Sequence, residues 1–127
     1  MSNALPPTPP AVGTQLQRAW IGAQGDWPAA GTVLAFTSPV CAPCRAIKLR
    51  LQLALKHLGT TPAGAPDLVE VDVSRALAVG EVFGVARTPT VLLVDWRGVV
   101  VERLTLTVPP QAWWLQALAA LGRPAAG

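Results

Sequence analysis

The spacing of apolar residues changes several times along the chain between a helical and a strand-like period. From Cys41 to about Leu58 the apolar positions recur on one helical face, and basic and amide side chains occupy the other. The predicted core face consists of Ile47, Leu51, Ala54, Leu55 and Leu58. Gly59 follows as a natural stop. The pattern therefore predicts one long amphipathic helix.

Other runs have the composition of strands. Residues 32–36 (TVLAF) and 67–73 (DLVEVDV) are short and β-prone, and the long helix separates them. Residues 88–106 contain two β-branched runs around a turn at residues 95–98 (DWRG), where Gly98 suits a positive φ. This last segment is predicted to form a β-hairpin.

Three further helices are predicted. The first covers residues 14–23, with Thr14 as a possible N-cap, and the second runs from a cap at Ser74 through Phe83. The third spans about residues 109–121. The residues of this last helix that are expected to face the core are Trp114, Leu118 and Leu121.

The order of these elements is α-β-α-β-α-β-β-α. Two strands joined by a helix imply a parallel pair with a right-handed crossover, and the closing hairpin adds antiparallel strands. The expected fold class is α/β, with a mixed central sheet of four to five strands and helices on both faces. We expect a flexible Pro-rich segment at residues 1–13, followed by one domain at residues 14–124.

Composition narrows the class of protein further. Of the 127 residues, 51% are hydrophobic and 13% are charged, which is enough apolar material for one packed core. The net charge is +3, but the basic residues are scattered, so nucleic acid is not an expected partner. The first ten residues do not resemble a secretory signal, and no window is apolar enough for a membrane span. We expect a cytoplasmic protein without a membrane partner.

The two cysteines, Cys41 and Cys44, stand where the first strand passes into the long helix. The first turn of a helix has unpaired N–H groups and the positive end of the helix dipole, which stabilise a thiolate and lower the pKa of a thiol there. Pro43 suits this turn, and Arg45 and Lys48 add positive charge. We expect Cys41 to be the exposed attacking thiol and Cys44, one turn deeper, to be the resolving thiol.

The cysteines have two alternative roles. A zinc site requires four ligands, and the chain offers two cysteines and one histidine, His57, so one chain cannot supply a complete Cys/His site. A metal shared between chains, or a pair of buried inert cysteines, stays open as an alternative. A structural disulfide is not expected in a reducing cytosol, and this favours redox chemistry without a metal.

The stretches CAPCRAIK, VEVDV, FGVARTPTVLLV and DWRG, in this order, resemble thioredoxin and its relatives over about residues 32–121. Cys-X-X-Cys alone is moderately specific, and its combination with Thr88-Pro89 at the start of a strand is more specific. The resemblance implies the thioredoxin fold, with thiol–disulfide exchange at Cys41 and Cys44. It also implies a cis peptide bond before Pro89, packed against the cysteine pair.

The resemblance also implies a mode of substrate binding. In the family, the residue before this proline offers its backbone to an extended substrate peptide, and Thr88 would take that role here. The other residues of the expected substrate-binding rim are Val40, Ala42, Pro43, Arg87 and Pro89. The rim is apolar except for Arg87, which would favour acidic partners.

The chain departs from the thioredoxin pattern near the cysteines. Val40 replaces a tryptophan, Ala42 replaces a glycine, and Ala35 replaces a buried acid that accepts a proton in the family. Glu70, on the next strand, stands where the family often has a lysine. If that strand is central and covered on both faces, Glu70 is at least partly buried and is a candidate proton acceptor for Cys44. Alternatively, Glu70 reaches solvent or pairs with an arginine.

Two functional hypotheses follow. The first is a monomeric thiol–disulfide oxidoreductase that reduces protein disulfides, binds no cofactor, and receives electrons from a separate reductase or a small thiol. The second is a thioredoxin-fold redox-sensing or interaction module whose cysteines switch partner binding without turnover. An oxidase or isomerase is a third, weaker hypothesis, because the residues between the cysteines do not fix the redox potential by inspection.

Overall fold

The fold is organised around a four-stranded mixed sheet. The computed structural model describes residues 5–124. The strands are β1 (Thr32–Thr37), β2 (Asp67–Asp72), β3 (Thr90–Val94) and β4 (Val100–Thr105). They lie in the order β2-β1-β3-β4, with β1 and β2 parallel and the other neighbours antiparallel. The predicted α/β fold with a mixed sheet is confirmed.

Helices cover both faces of this sheet. They are α1 (Ala42–Leu58), α2 (Leu77–Val82) and α3 (Gln111–Ala119), and a short 3-10 turn spans Arg18–Ile21. The core between the sheet and the α1–α3 layer includes Val33, Ala35, Ile47, Leu51, Val91, Leu93, Trp114, Leu118 and Leu121. The core on the opposite face includes Leu16, Leu34, Phe36, Phe83, Leu92, Val94 and Val100. Because β1 and β3 contribute to both cores, every residue of these two strands is buried.

The long helix α1 follows its predicted pattern. Its buried residues are Cys44, Ile47, Leu51, Ala54 and Leu58, and Cys41 is its N-cap. The helix ends at Gly59, whose amide donates to the carbonyl of Leu55 at 2.9 Å. The apolar face fixes how α1 lies on the sheet, and this in turn fixes where its first turn meets the end of β1.

The prediction of a helix over residues 14–23 is wrong. The amide of Leu16 donates to the carbonyl of Gly98 at 2.8 Å, and the amide of Val100 donates to the carbonyl of Thr14 at 3.0 Å. These bonds hold the segment in an extended form beside the start of β4, so its backbone groups are not free for helical bonding. Only the 3-10 turn remains of the expected helix.

The other two predicted helices are shorter than expected. Ser74 does not cap α2, because its amide and hydroxyl both donate to Asp72 Oδ1, at 2.9 and 2.6 Å, and close a turn after β2. Pro110 is the N-cap of α3, and the core residues predicted for this helix are buried. No helix within residues 5–124 is both long enough and apolar enough to cross a membrane.

The predicted hairpin turn between β3 and β4 is confirmed, and a buried carboxylate holds it. Asp95 Oδ1 accepts from the amides of Arg97 (2.9 Å) and Val99 (3.1 Å), and Oδ2 accepts from the Arg97 guanidinium at 2.7 Å. Gly98 adopts a φ of 84°. Burial alone would raise the pKa of Asp95, but these hydrogen bonds outweigh it and hold the pKa below its ordinary value.

We expect Asp95 to stabilise the domain at neutral pH and to lose this effect in acid. Because its folded pKa lies below the ordinary value of 3.8, its contribution is complete above that value and disappears as the pH falls through the folded pKa. Asp95→Asn should lower the free energy of unfolding at neutral pH by about 1–3 kcal/mol, measured by urea denaturation.

The difference between Asp95→Asn and the parent protein should shrink as the pH is lowered to about 2. Glu81→Gln, at an exposed position on α2, is the matched control and should change stability little at any pH. A difference for Asp95→Asn that stays constant from neutral to acidic pH would contradict the role given to its charge.

Candidate functional site

The cysteine pair forms a disulfide at the start of α1. The Cα atoms of Cys41 and Cys44 are 5.3 Å apart. The amide of Cys44 donates to Cys41 Sγ at 3.2 Å, which makes the sulfur of Cys41 the side-chain cap of the helix. Cys44 is buried, with 3% of its surface exposed, whereas Cys41 is partly exposed. A reagent from solvent therefore reaches the sulfur of Cys41 more easily.

The local sequence explains this geometry. β1 ends at Thr37, and residues 38–40 form a short loop that delivers the chain to the N-cap. Pro43 lies in the first turn of α1, where its missing N–H breaks no helical bond. The first turn contains no acidic residue, so no carboxylate there opposes the stabilisation of a thiolate by the N–H groups and the helix dipole.

The Thr88–Pro89 peptide lies across from this loop. The peptide bond is cis, as the resemblance implied. The hydroxyls of Ser38 and Thr88 are hydrogen-bonded at 3.1 Å. Phe36 is paired with Thr90 in the antiparallel register of β1 and β3, and continuing this register brings Ser38 opposite Thr88. The start of β3 is therefore joined to the segment that leads to Cys41.

The six residues expected to bind substrate differ widely in accessibility. Val40 is almost fully exposed, at 96%, and Ala42, Pro43 and Arg87 are also exposed. Thr88 is partly buried and Pro89 is buried. Three of the four exposed residues, Val40, Ala42 and Pro43, are apolar and flank Cys41 in sequence. An apolar rim of this kind lies open to a partner.

A cavity of about 280 Å³ lies beside the disulfide. Its lining comes from the end of β1, the following loop, α1 and β2. The lining residues are Thr37, Ser38, Pro39, Cys41, Cys44, Arg45, Lys48, Glu70 and Asp72. We did not predict a cavity here. Its one signal in the sequence is the strand alternation that places Glu70 and Asp72 on the same face of β2.

Glu70 lies in this cavity but not in the environment we expected. The expectation of a central strand covered on both faces was wrong, because β2 is at the edge of the sheet, and the Glu70 side chain is 38% exposed. Glu70 Oε1 accepts from the Thr37 hydroxyl at 3.1 Å and lies 3.1 Å from Lys48 Nζ. Its ionic partner is thus a lysine and not the arginine considered from the sequence.

The sheet register places Glu70 directly beside Ala35. Ala35 belongs to the core under α1, where it packs among apolar residues. The carboxylate paired with this position in the sheet register therefore lies one strand away, on the edge strand β2. Within the described part of the chain, no group of three or more His, Cys, Asp or Glu side chains is arranged to hold a metal ion.

No protein-family model and no curated protein sequence matches the chain. Solved structures do match it. Thioredoxin-2 from a malaria parasite has 20% sequence identity and a TM-score of 0.59, over 78% of this chain and 84% of that chain. The thioredoxin of Fasciola hepatica has 18% identity and a TM-score of 0.57, over 73% and 82%.

Thioredoxin 1 from Thermosipho africanus has 17% identity and a TM-score of 0.56, over 70% of this chain and 91% of that chain. At these identities the likeness concerns the path of the backbone. The agreement includes the mixed sheet and the helices that cover it. The protein described here has the thioredoxin fold, with a Cys-X-X-Cys disulfide at the start of its longest helix.

Proposed function

We propose that this protein is a thiol–disulfide oxidoreductase that reduces disulfides in other proteins. The observation that carries the proposal is the disulfide at the N-terminus of α1, with one sulfur accessible and the other buried. In this proposal the protein works as a monomer in the cytoplasm, without a bound cofactor. Its electrons come from a separate donor.

The reaction proceeds in two exchange steps. In the reduced protein, the Cys41 thiolate attacks one sulfur of the substrate disulfide, forms a mixed disulfide and releases the first substrate thiolate. The Cys44 thiolate then attacks Cys41 Sγ and releases the second substrate thiolate. Two electrons pass to the substrate, and the Cys41–Cys44 disulfide is formed. The hydrogen bond from the Cys44 amide supports the role of Cys41, because the same N–H can stabilise its thiolate.

The substrate binds as an extended segment along Thr88 and over the apolar rim. Backbone hydrogen bonds at Thr88 would add a short strand to the site, and Val40, Ala42 and Pro43 would cover apolar side chains of the substrate. The exposure of this rim supports the proposal, since a side chain as open as Val40 has little role in the stability of the isolated domain. Pro89 is buried and Arg87 is exposed, and the two residues flank Thr88 in sequence.

Glu70 is proposed to accept the proton of Cys44. Both residues line the same cavity, and the carboxylate is held there by Thr37 and Lys48. A carboxylate can accept a proton from a thiol that shares its cavity. Because β2 is an edge strand, water in the cavity can join the two groups.

The test of the function is turnover. With dithiothreitol as reductant, the protein should reduce many equivalents of insulin disulfide per molecule. A redox sensor would stop after one equivalent, and this outcome would reject the enzyme proposal. Cys41→Ser should abolish turnover, whereas reduced Cys44→Ser, mixed with the substrate after dithiothreitol is removed, should accumulate a mixed disulfide that mass spectrometry detects.

Alkylation of the reduced protein tests the assignment of the two thiols separately. At neutral pH, a limiting amount of iodoacetamide should modify Cys41 before Cys44, because Cys41 is the exposed helix cap. Peptide mapping of the adduct gives the answer. Preferential modification of Cys44 would reverse the assignment.

The rim proposal predicts a change in substrate affinity. Val40→Ser should raise the KM for a protein disulfide about fivefold and leave kcat within about twofold, because apolar contact with the substrate is lost. Val12→Ser is the matched control. Val12 is also exposed, but it lies beside the start of β4, which the sheet register places at the far end from Cys41. Equal effects of the two substitutions would refute the rim.

The Glu70 proposal predicts a defect in the second step alone. In single-turnover kinetics, Glu70→Gln should form the mixed disulfide at the parent rate but resolve it about tenfold or more slowly near neutral pH. The defect should fade as the pH rises and the Cys44 thiol ionises without help. The other charged groups around the cavity, Arg45, Lys48 and Asp72, are unchanged in this variant.

Asp67→Asn is the control for Glu70→Gln, because Asp67 is an exposed acid at the opposite end of the same strand. It should leave both steps unchanged. If resolution and its pH profile in Glu70→Gln match those of the parent, Glu70 has no role in proton transfer.

A further inference from the structure

We propose that the cavity beside the disulfide binds a small thiol carrying both an ammonium and a carboxylate group, and that such a thiol is the electron donor of this protein. The inference rests on the proposed function and selects the kind of donor. Four observations support it: the charged residues that line the cavity, the atoms of these residues that can still form hydrogen bonds, the volume of the cavity, and the position of the cavity relative to Thr88.

The charges in the cavity are balanced. Two cations, Arg45 and Lys48, face the same space as two carboxylates, Glu70 and Asp72. A lining of one sign would attract a purely anionic or purely cationic ligand, whereas a balanced lining favours a ligand that carries both charges. Thiols with the charged groups of an amino acid or short peptide have this property.

Two charged side chains of the cavity, Arg45 and Glu70, have atoms that can still bind such a ligand. Among residues 5–124, Arg45 has no ion pair or side-chain hydrogen bond, so its guanidinium can bind a carboxylate in a bidentate manner. The contacts of Glu70 with Thr37 and Lys48 both use Oε1. Its Oε2 is therefore open to an ammonium group. Asp72 is already engaged at both oxygens, because Ser74 donates to its Oδ1 and Arg75 Nε lies 3.8 Å from its Oδ2.

The size of the cavity fits a small molecule. Its volume of about 280 Å³ lies near the lower end of the range for small-molecule sites, which begins at roughly 300 Å³. A thiol of amino-acid or short-peptide size can place its charged groups there while its sulfur reaches Cys41.

The cavity and the proposed protein-binding rim lie on two sides of the disulfide. The cavity is built from the end of β1, α1 and β2, whereas Thr88 belongs to the segment before β3. Ser38 stands between them, since it lines the cavity and its hydroxyl is bonded to that of Thr88. A small thiol can therefore approach the disulfide without occupying the rim.

The donor reaction balances with two thiols. The first thiolate attacks Cys41 Sγ, forms a mixed disulfide and releases the Cys44 thiolate, which takes up a proton. A second thiolate attacks the sulfur of the bound small molecule and releases the Cys41 thiolate. The two small thiols leave as their disulfide, and the protein gains two electrons and becomes the dithiol that reduces its substrate.

The experiment measures reduction of the oxidised full-length protein by thiols of different charge. The probes are cysteine and glutathione, which carry both charges, cysteamine, which is cationic, 3-mercaptopropionate, which is anionic, and 2-mercaptoethanol, which is neutral. Samples are quenched by alkylation and counted by mass spectrometry, and each rate is divided by the thiolate fraction of the probe. We expect at least one of the two doubly charged thiols to react about tenfold faster than every other probe, with saturation at high concentration.

Two variants test whether the preference for the doubly charged thiol depends on Arg45. Arg45→Gln should lower the ratio of the rate with the preferred thiol to the rate with 2-mercaptoethanol about fivefold or more, because the carboxylate loses its partner. Lys56→Gln removes one positive charge from the exposed far end of α1 and should leave the ratio unchanged. The ratio cancels any general effect of a substitution on the disulfide.

Equal corrected rates for all probes, or a preference for the singly charged thiols, would overturn the inference. Insulin reduction driven by dithiothreitol is measured in parallel. If it proceeds while the small thiols are not distinguished, the proposed function stands and the donor is of another kind, such as a protein reductase. If the thiol preference is found but insulin is not reduced, the cavity assignment stands and the proposed function fails.

Discussion

The pairing of β1 with both of its neighbours is the constraint on which the site depends. β1 is buried throughout, and its parallel pairing with β2 and antiparallel pairing with β3 fix three chain segments around its C-terminal end. Beyond Thr37 the short loop of residues 38–40, which is bonded to Thr88 through Ser38, leads to the N-cap of α1, so the buried strand fixes the position of the disulfide closely. The same register brings Glu70 to one side and Thr88 to the other. A slip of one residue in β1 would exchange the side chains that face the two cores and would separate these groups.

Glu70, the acid discussed beside the disulfide, lies on the edge strand β2 and not in the core. A carboxylate at Ala35 would have to be desolvated within the core under α1, whereas Glu70 on the edge strand keeps contact with water and with Lys48. The site therefore contains an acid near the buried sulfur without placing an unpaired charge in the core. The N-terminal segment does not cover the outer side of β2 within the described residues, since residues 13–16 run beside β4 instead.

The parts of the fold that depend on local pattern could be predicted from the sequence. The apolar face of α1, the two β-branched runs of the hairpin and Gly98 in its turn all act over a few residues, and they are found as expected. The helix predicted over residues 14–23 failed because Leu16 has helical spacing to its neighbours but bonds to Gly98, far along the chain. The position of β2 also depends on strand order, which no local pattern encodes. The burial expected for Glu70 rested on that order, and the cavity could not be foreseen without it.

In the proposed function a donor and a substrate must both reach the sulfur of Cys41, and the two surfaces beside this sulfur differ in chemistry. The rim around Val40 is apolar and exposed, and it suits an extended protein segment with many weak contacts. The cavity behind the disulfide is concave and lined by charged groups, and it suits a small polar molecule held by a few directed bonds. Cys41 belongs to both surfaces, because it lines the cavity and stands between Val40 and Ala42 of the rim in sequence. The direction of electron flow is set by the reduction potentials of the partners, and two separate surfaces would let a small thiol and a protein segment use the same sulfur.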